Sequence, residues 1–527
     1  MRTFHTPLSV IQSLAQSRGD SPAVRYADES GYKTISYAEY WQNINDAAKN
    51  WTAELFKAGI AKGSVVGLWI KGLSYEDLLH YLSLMRAGFI PQLFSIRMQD
   101  PSIVFELLEK SGATALLYDP DCAPLAKECP LPAISISGVV GRTPPDIYLN
   151  TLTTSRDGDQ ILVIFHTSGS TSIPKLVPQT VRWLECLIRK HYPDHIRDSP
   201  DSVISAIGSH AHLGNTIVLA VHLAAGSCLL LPTNIPYSPL QLDDMITNGG
   251  LTILTIFPGL LVPMFAEARR DDAFFKKLQN LEKINFAGHT LEPKEEAWGR
   301  ENGLKLINFY GSTEIGASMM STSTSPYVTP LPESGCEFIP FSETSSGSDQ
   351  LFQLVVPADT DDCPHPSLRD KSDGKFHTGD LFQCVGKDQY VYRGRVEDRI
   401  KMQLGQSCDV GSLEAEVMQI CESDLISAIS VIGSGRLSPA MVVEAKDDSI
   451  LEAGDDKLLA LKNQIIFRTT LFQKQKYAHV WISDARLIFV VKKGTLPRTP
   501  KGNVMRKAVE KMFAKDLDEF FLSASKS

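Results

Sequence analysis

Four stretches of the chain carry residue types suited to nucleotide and phosphate chemistry. The first, HTSGSTSIPK at residues 166–175, follows the apolar run ILVIF. A loop of Gly and small hydroxyl residues lets backbone N–H groups close around phosphate oxygens, while a Lys adds charge. It lacks the G-x-x-x-x-G-K-[ST] spacing of a Walker loop. Taken alone, it reads more simply as an ordinary polar loop. The second, NFYGSTE at residues 308–314, also follows an apolar run and offers the Tyr310 ring, the Thr313 hydroxyl and the Glu314 carboxylate. Mg²⁺ takes only one or two protein carboxylates beside phosphate oxygens, so Glu314 is a candidate ligand. The alternative is a solvated Glu in a turn.

The third signal pairs HTGD at residues 377–380 with YRGRVEDRIK at residues 392–401. An Asp after a Gly turn accepts both hydroxyls of a ribose, and Arg395 reaches a ribose or phosphate oxygen. Singly, Asp380 reads as a turn-capping residue and the basic cluster as a solvated edge. The fourth, LPRTPKGNVMRK at residues 496–507, sets Lys501 between Pro500 and Gly502, an exposed turn able to deliver a point charge into a site. Its plain alternative is a basic tail.

The elements that must position these residues follow from the apolar pattern. Short runs such as SVVGLWI, FIPQLFS, ALLYD, ILVIF, SVISAIG, LTILTIF, KINFAG and KLINFYG alternate with helical stretches such as YEDLLHYLSLMRAG. Strands rich in Val, Ile and Leu with helices between them predict an α/β fold of largely parallel sheets layered with helices. Ligands of such sheets bind at the carboxyl ends of strands. Residues 320–375 are turn-rich and polar and read as surface connections with short strands such as FQLVV. From Asp398 a smaller unit begins, in which VGSLEAEVMQI places Val410, Leu413, Val417 and Ile420 on one helical face. AISVIG, AMVVEA and RLIFVV predict a small sheet there. The expected division is 1–397 and 398–527.

Composition excludes several classes. The 527 residues are 43% hydrophobic and 21% charged with a net charge of −9, a globular balance and not that of a disordered, fibrous or coiled-coil chain. No run of five or more basic residues marks a nucleic-acid partner. The nine scattered cysteines form no CxxC pair and no zinc spacing, which reads as reduced thiols in a cytoplasmic protein. The start carries no signal peptide, and the most apolar segment, residues 217–232, is too short for a membrane span and reads as a core helix turning into a core strand.

The order of HTSGSTSIPK, YGSTE, HTGD, YRGRVEDRIK and LPRTPKGNVMRK over essentially the whole chain resembles the adenylate-forming superfamily: acyl-CoA synthetases, nonribosomal-peptide-synthetase (NRPS) adenylation domains and luciferases. The resemblance implies activation of a carboxylic acid with Mg·ATP to an acyl-adenylate and pyrophosphate, then transfer to a thiol. It implies a small C-terminal domain that rotates on a hinge at Asp398. Thr167, Ser168, Gly169, Ser170, Thr171 and Lys175 are then the phosphate loop. Asn308 and Tyr310 flank adenine, Thr313 meets the α-phosphate, and Glu314 holds Mg²⁺. Asp380 binds the ribose with Arg395 beside it, and Lys501 is the catalytic lysine. The chain departs from the family pattern where Ser172 and Leu176 replace loop glycines, and where Pro500 precedes Lys501. The K-G-N-V-M-R-K ending and the longer segment between Lys401 and Gly405 look like fungal NRPS-like proteins, in which a carrier domain follows. The chain ends soon after this motif, which reads as a stand-alone ligase or an excised adenylation domain.

In amino-acid-activating relatives an Asp near the segment that here reads SAIGSHAHLGNT holds the substrate ammonium; residues 205–216 contain no Asp or Glu. A buried unpaired ammonium is costly, so an α-amino acid is disfavoured. His210, His212, Asn215, Gly288, His289 and Thr290 are the expected pocket, suiting an aryl, hydroxyaromatic or keto acid; a core role is the alternative for each histidine. The expected acceptor is a phosphopantetheine thiol on a carrier domain, with CoA as the alternative. A degenerate nucleotide-binding regulatory protein is the reading from another class.

Overall fold

The computed structural model describes all residues except 1, 99, 150–152, 168–173, 194, 342–349, 403–406, 474–479, 500–501 and 525–527. Two sheets organise the N-terminal part. A six-stranded sheet runs Lys175–Thr180, Ile161–Thr167, Ile90–Ser95, Val65–Ile70, Ala115–Tyr118, Ala133–Ser135. It is parallel except where Lys175–Thr180 returns antiparallel along Ile161–Thr167. A 13-stranded sheet has a parallel centre formed by Leu306–Ser312, Lys283–Ala287, Ile253–Ile256, Val203–Ser205 and Cys228–Leu231.

The six-stranded sheet and the parallel centre of the larger one are covered on both faces, which is why their strands are continuous apolar runs. Leu68, Val163 and Phe165 of the first sheet share one core with Ile204, Leu229 and Ile253 of the second. Helices Tyr37–Lys57, Tyr75–Ala87, Val181–Arg189 and Leu213–Ala225 contribute to that same core. The outer face of the six-stranded sheet packs Trp69, Phe94 and Leu116 on helix Pro101–Ser111. The outer face of the larger sheet packs Leu254, Ile256, Ile284 and Phe286 on helices Pro239–Thr247, Pro258–Ala268 and Asp272–Asn280. The apolar segment at 217–232 is a core helix followed by a core strand.

Within the polar stretch 320–375 the expected FQLVV strand is present as Leu351–Val356, but much of what reads as surface connection is sheet. Gly316–Thr322 and Ser325–Pro330 form an antiparallel hairpin that extends the large sheet, and Leu351–Val356, Phe376–Gly386 and Gln389–Arg395 continue it. Ile315, Met319, Val328, Leu354 and Phe382 share a small core, and Ser318 and Ser321, which resemble loop formers in the sequence, are buried in the strand beside them. Most of the SETSSGSDQ stretch lies outside the described residues.

The C-terminal domain has its own core, from Ile400 to Leu517. Helix Val410–Cys421 buries Val410, Leu413 and Val417 against a three-stranded sheet of Ile426–Ile432, Ala440–Ala445 and Ile488–Val491. All nine cysteines are free thiols. Among the described residues no helix is long and apolar enough to cross a membrane.

Candidate active site

The phosphate-loop stretch is the connection of a hairpin. Thr167 ends strand Ile161–Thr167, Lys175 begins the returning strand, and the two are cross-strand partners. Both ends of the loop are therefore held side by side at the carboxyl end of a parallel strand, with Lys175 exposed. Ser168, Gly169, Ser170 and Thr171 lie outside the described residues. His166, just before the loop, is stacked on Phe94 at 4.5 Å and lies 3.0 Å from the Gln92 amide nitrogen. Burial pushes its imidazole down to about 4, and charge on nearby His212 adds to the effect.

The YGSTE stretch ends the parallel strand Leu306–Ser312 and turns into the antiparallel Gly316–Thr322. The Asn308 backbone N–H donates to Ser321 Oγ at 2.7 Å. Tyr310 Oη donates to Asp380 Oδ2 at 2.6 Å. Its ring meets Phe382 edge to face at 4.9 Å and lies 6.2 Å from the Tyr392 ring. Thr313 and Glu314 are partly exposed on the turn, and their backbone carbonyls accept from Gln179 Nε2 at 2.7 Å and Trp183 Nε1 at 3.1 Å.

Asp380 and Arg395 are cross-strand partners in the antiparallel pair Phe376–Gly386 and Gln389–Arg395. Arg395 Nε lies 3.2 Å from Asp380 Oδ1, and its Nη2 donates to the Thr378 carbonyl at 2.9 Å. Tyr392 Oη donates to Asp380 Oδ1 at 3.4 Å. Burial raises the Asp380 carboxyl above the usual carboxylate range, and the charge of Glu314 adds to this. Tyr310, Arg395 and Tyr392 oppose the rise by favouring the ionised form. Glu314 and Asp380 thus belong to one electrostatic cluster. Burial, with the adjacent carboxylate, drives the Tyr310 phenol well above its ordinary range, so it remains a donor.

The expected pocket residues divide. His210 and Asn215 are buried and bind each other, His210 Nδ1 lying 2.6 Å from Asn215 Nδ2. The His210 backbone N–H donates to the Gly72 carbonyl at 2.7 Å, and burial holds the His210 imidazole down at about 3. Asn215 Oδ1 accepts from the Ile207 N–H at 3.3 Å, so this pair braces the segment from within. His212, at the start of helix Leu213–Ala225, is exposed. Gly288, His289 and Thr290 are exposed beyond strand Lys283–Ala287. Gly288 has φ +94°, and a Cβ there would meet the Phe257 ring at 3.1 Å. Phe257 thus lies beside the expected pocket segment, and only its place after the strand LTILTI could have signalled it.

Asp398 ends a short helical turn, pairs with Arg506 Nη1 at 3.1 Å and faces Gly411. Lys501 lies outside the described residues. The residues flanking it close a turn, with an Arg498–Val504 bridge and Arg498 Nη2 at 2.9 Å from the buried Glu444 carboxylate.

The AMP-binding enzyme family matches residues 11–339, and the AMP-binding enzyme C-terminal domain matches residues 397–525. The chain belongs to the AMP-binding enzymes and is an adenylate-forming ligase that activates a carboxylate. It is 31% identical over 515 residues to the AMP-binding domain-containing enzyme iboA of Amanita muscaria (strain Koide BX008), covering 93% of this chain and 98% of that protein. It is 23% identical to the adenylate-forming reductase stbB of Stachybotrys bisbyi, covering 88% of this chain but only 43% of that longer protein. In fold it is similar to the O-succinylbenzoate coenzyme A synthetase of Bacillus subtilis in complex with AMP, with a TM-score of 0.74 at 15% identity, covering 97% of this chain and 98% of that one. It is likewise similar to ATP-bound MatB of Rhodopseudomonas palustris, with a TM-score of 0.72 at 16% identity, covering 96% and 99%.

Proposed function

We propose that the protein condenses a carboxylic acid lacking an α-ammonium group, of aryl or keto type, with Mg·ATP, and then passes the acyl group to a phosphopantetheine thiol. The observation that carries the nucleotide part is the cluster of Tyr310, Asp380 and Arg395, brought from two separate stretches to one strand end beside Glu314. Asp380 would accept the ribose hydroxyls and Arg395 would steady it, with Asn308 and Tyr310 beside the adenine. Thr167, Lys175 and the loop between them would cradle the phosphates, and Thr313 would meet the α-phosphate.

The donor set fits Mg²⁺. Glu314 is a partly exposed carboxylate on a turn held at two carbonyls, and a nucleotide would complete the shell with phosphate oxygens and water. Bound there, Mg²⁺ neutralises phosphate charge. Lys501 would stabilise charge developing around the α-phosphorus and the acid, by electrostatics and positioning. Its place in the C-terminal unit, beyond the boundary at Glu397–Asp398, makes the reaction depend on domain rotation. The absence of Asp and Glu from residues 205–216 supports the non-amino acid. The likeness in sequence to the adenylate-forming reductase supports a carrier thiol. The fold shared with a CoA synthetase supports CoA as the second reading.

Acid-dependent ATP–pyrophosphate exchange over aryl, keto, fatty and amino acids, with Lys501→Ala alongside, tests this reading. Exchange with an aryl or keto acid, lost in the variant, is the expected result. Exchange with amino acids alone would overturn the pocket assignment. Supplying CoA or a carrier domain to the loaded enzyme then separates the two acceptors.

A further inference from the structure

One stripe of side chains reaches the catalytic turn from behind. Gln179 is the penultimate residue of the strand Lys175–Thr180, and Trp183, Leu187 and Lys190 follow on the helix Val181–Arg189 and its C-cap. Thr180 starts that helix by accepting from the Trp183 N–H, so the chain passes directly from phosphate-loop strand to helix. The spacing of 183, 187 and 190 keeps one helical face toward residues 313–317. Gln179 donates to the Thr313 carbonyl at 2.7 Å, Trp183 to the Glu314 carbonyl at 3.1 Å, and Lys190 Nζ to the Ala317 carbonyl at 3.1 Å. Between them Gly316, at φ +67°, has no room for a side chain: a Cβ would lie 3.0 Å from both Trp183 and Leu187.

All four side chains are almost fully buried, and the Lys190 charge is matched by the equally buried Asp362 at 2.7 Å. A turn between two strands ordinarily leaves its carbonyls to water. Here three of five consecutive carbonyls are bound by side chains of one neighbouring segment, away from solvent.

We infer that Gln179 and Trp183 are positioning residues for the adenylation site. They fix the turn whose outward side chains are Thr313 and Glu314, and they join it through one continuous segment to Lys175. The inference rests on the reading of Thr313 and Glu314 given above, and concerns what aims them. A carboxylate that must meet a metal and phosphate oxygens works only if its backbone is held to a fraction of an ångström. Both residues are buried and act on backbone carbonyls.

The test uses the full chain with Gln179→Leu, which keeps bulk and removes the donor, and Trp183→Phe, which keeps a ring and removes the indole N–H. Amide hydrogen exchange over residues 310–317 is read without any substrate, beside a urea titration. Faster exchange confined to that peptide, at near wild-type global stability, is expected. Where an acid drives pyrophosphate exchange, kcat is expected to fall about tenfold. The Mg²⁺ concentration for half-maximal rate should rise severalfold, and KM for the acid should not move. Unchanged amide exchange at 310–317 overturns the inference whatever the activity. A kcat loss with unaltered Mg²⁺ dependence also overturns it. A wild-type enzyme silent with every acid counts against the functional reading, while the amide-exchange arm still decides the positioning claim.

Discussion

Tyr310 and Asp380, 70 residues apart in sequence, are joined by a 2.6 Å hydrogen bond in which the phenol donates to the carboxylate. The bond lies between two strand systems, one ending the parallel centre of the large sheet and the other in its antiparallel extension. On the proposed reading it fixes the acceptor for the ribose hydroxyls beside the ring that flanks adenine. It also holds a buried carboxylate nearer its ionised form.

This contact sets a pH dependence. Burial raises the Asp380 carboxyl, and Tyr310 counters the rise. The ionised form is the one that accepts two hydroxyls, so affinity for ATP falls as pH drops through the Asp380 pKa. KM for ATP should therefore climb at a pH above the ordinary carboxylate range. Tyr310→Phe removes a donor that favours the carboxylate, and its climb should begin at higher pH than in the wild type. Superimposable KM profiles for the two proteins would refute this.

The buried pair Lys190–Asp362 makes a stability prediction. Asp362 also accepts from the Gly335 N–H at 3.0 Å, so it serves two partners. Removing it in Asp362→Ala leaves a buried ammonium unmatched, which costs about 3–5 kcal/mol. The double replacement Lys190→Met with Asp362→Leu removes both charges and should cost less than the single change. Urea denaturation of the three proteins measures this, and a single-variant loss below about 1 kcal/mol would contradict it.

Much of the site was legible because its residues follow strands. The runs ILVIF and KLINFYG end where Thr167 and Tyr310 stand, and the carboxyl-end rule places ligands there. Asp380 and Arg395 were legible as two motifs but not as a pair; their facing positions depend on the register of an antiparallel hairpin. The hairpin after Gly316 was hidden because Ser and Thr make up much of it, and such residues serve strands and turns alike; Ser318 and Ser321 are in fact buried in the strand. Gln179, Trp183 and Lys190 carried no signal, since their partners are backbone carbonyls, which no sequence pattern names. His210 and His212 read alike in the sequence, yet one is buried against Asn215 and the other exposed, a difference made by packing alone.

The buried histidines predict how stability varies with acidity. Burial holds His80 and His166 down at about 4, and His191, His210 and His222 down at about 3. In the unfolded chain each titrates at about 6.5, so above that pH both states are neutral and the histidines leave stability unaltered. As pH falls below 6.5 the unfolded chain takes up protons that the native state refuses, and stability is lost progressively toward pH 4. The slope approaches about 1.4 kcal/mol per pH unit for each such histidine. Urea midpoints measured from pH 7.5 to pH 5 should show this fall, and His222→Gln should shallow it. A flat profile over that range would contradict the burial of these rings.

Arg506 ties Asp398 to the small domain. Its Nη1 lies 3.1 Å from Asp398 Oδ1, and its Nη2 lies 2.7 Å from Glu414 Oε2 on the helix Val410–Cys421. Glu414 in turn accepts from the Val431 N–H at 2.6 Å, so the fork is anchored in the C-terminal core. If the small domain rotates as proposed, Asp398 would move with it and the pivot would fall on its N-terminal side, between Arg395 and Asp398. Arg506→Gln keeps a donor but loses the charge and the fork, loosening the pivot without touching the nucleotide cluster around Asp380. Pyrophosphate exchange should stay within about twofold of wild type, while single-turnover transfer to the thiol should slow about tenfold, the effect of one charge-assisted hydrogen bond of about 1.5 kcal/mol. An equal loss in both half-reactions would place the pivot elsewhere.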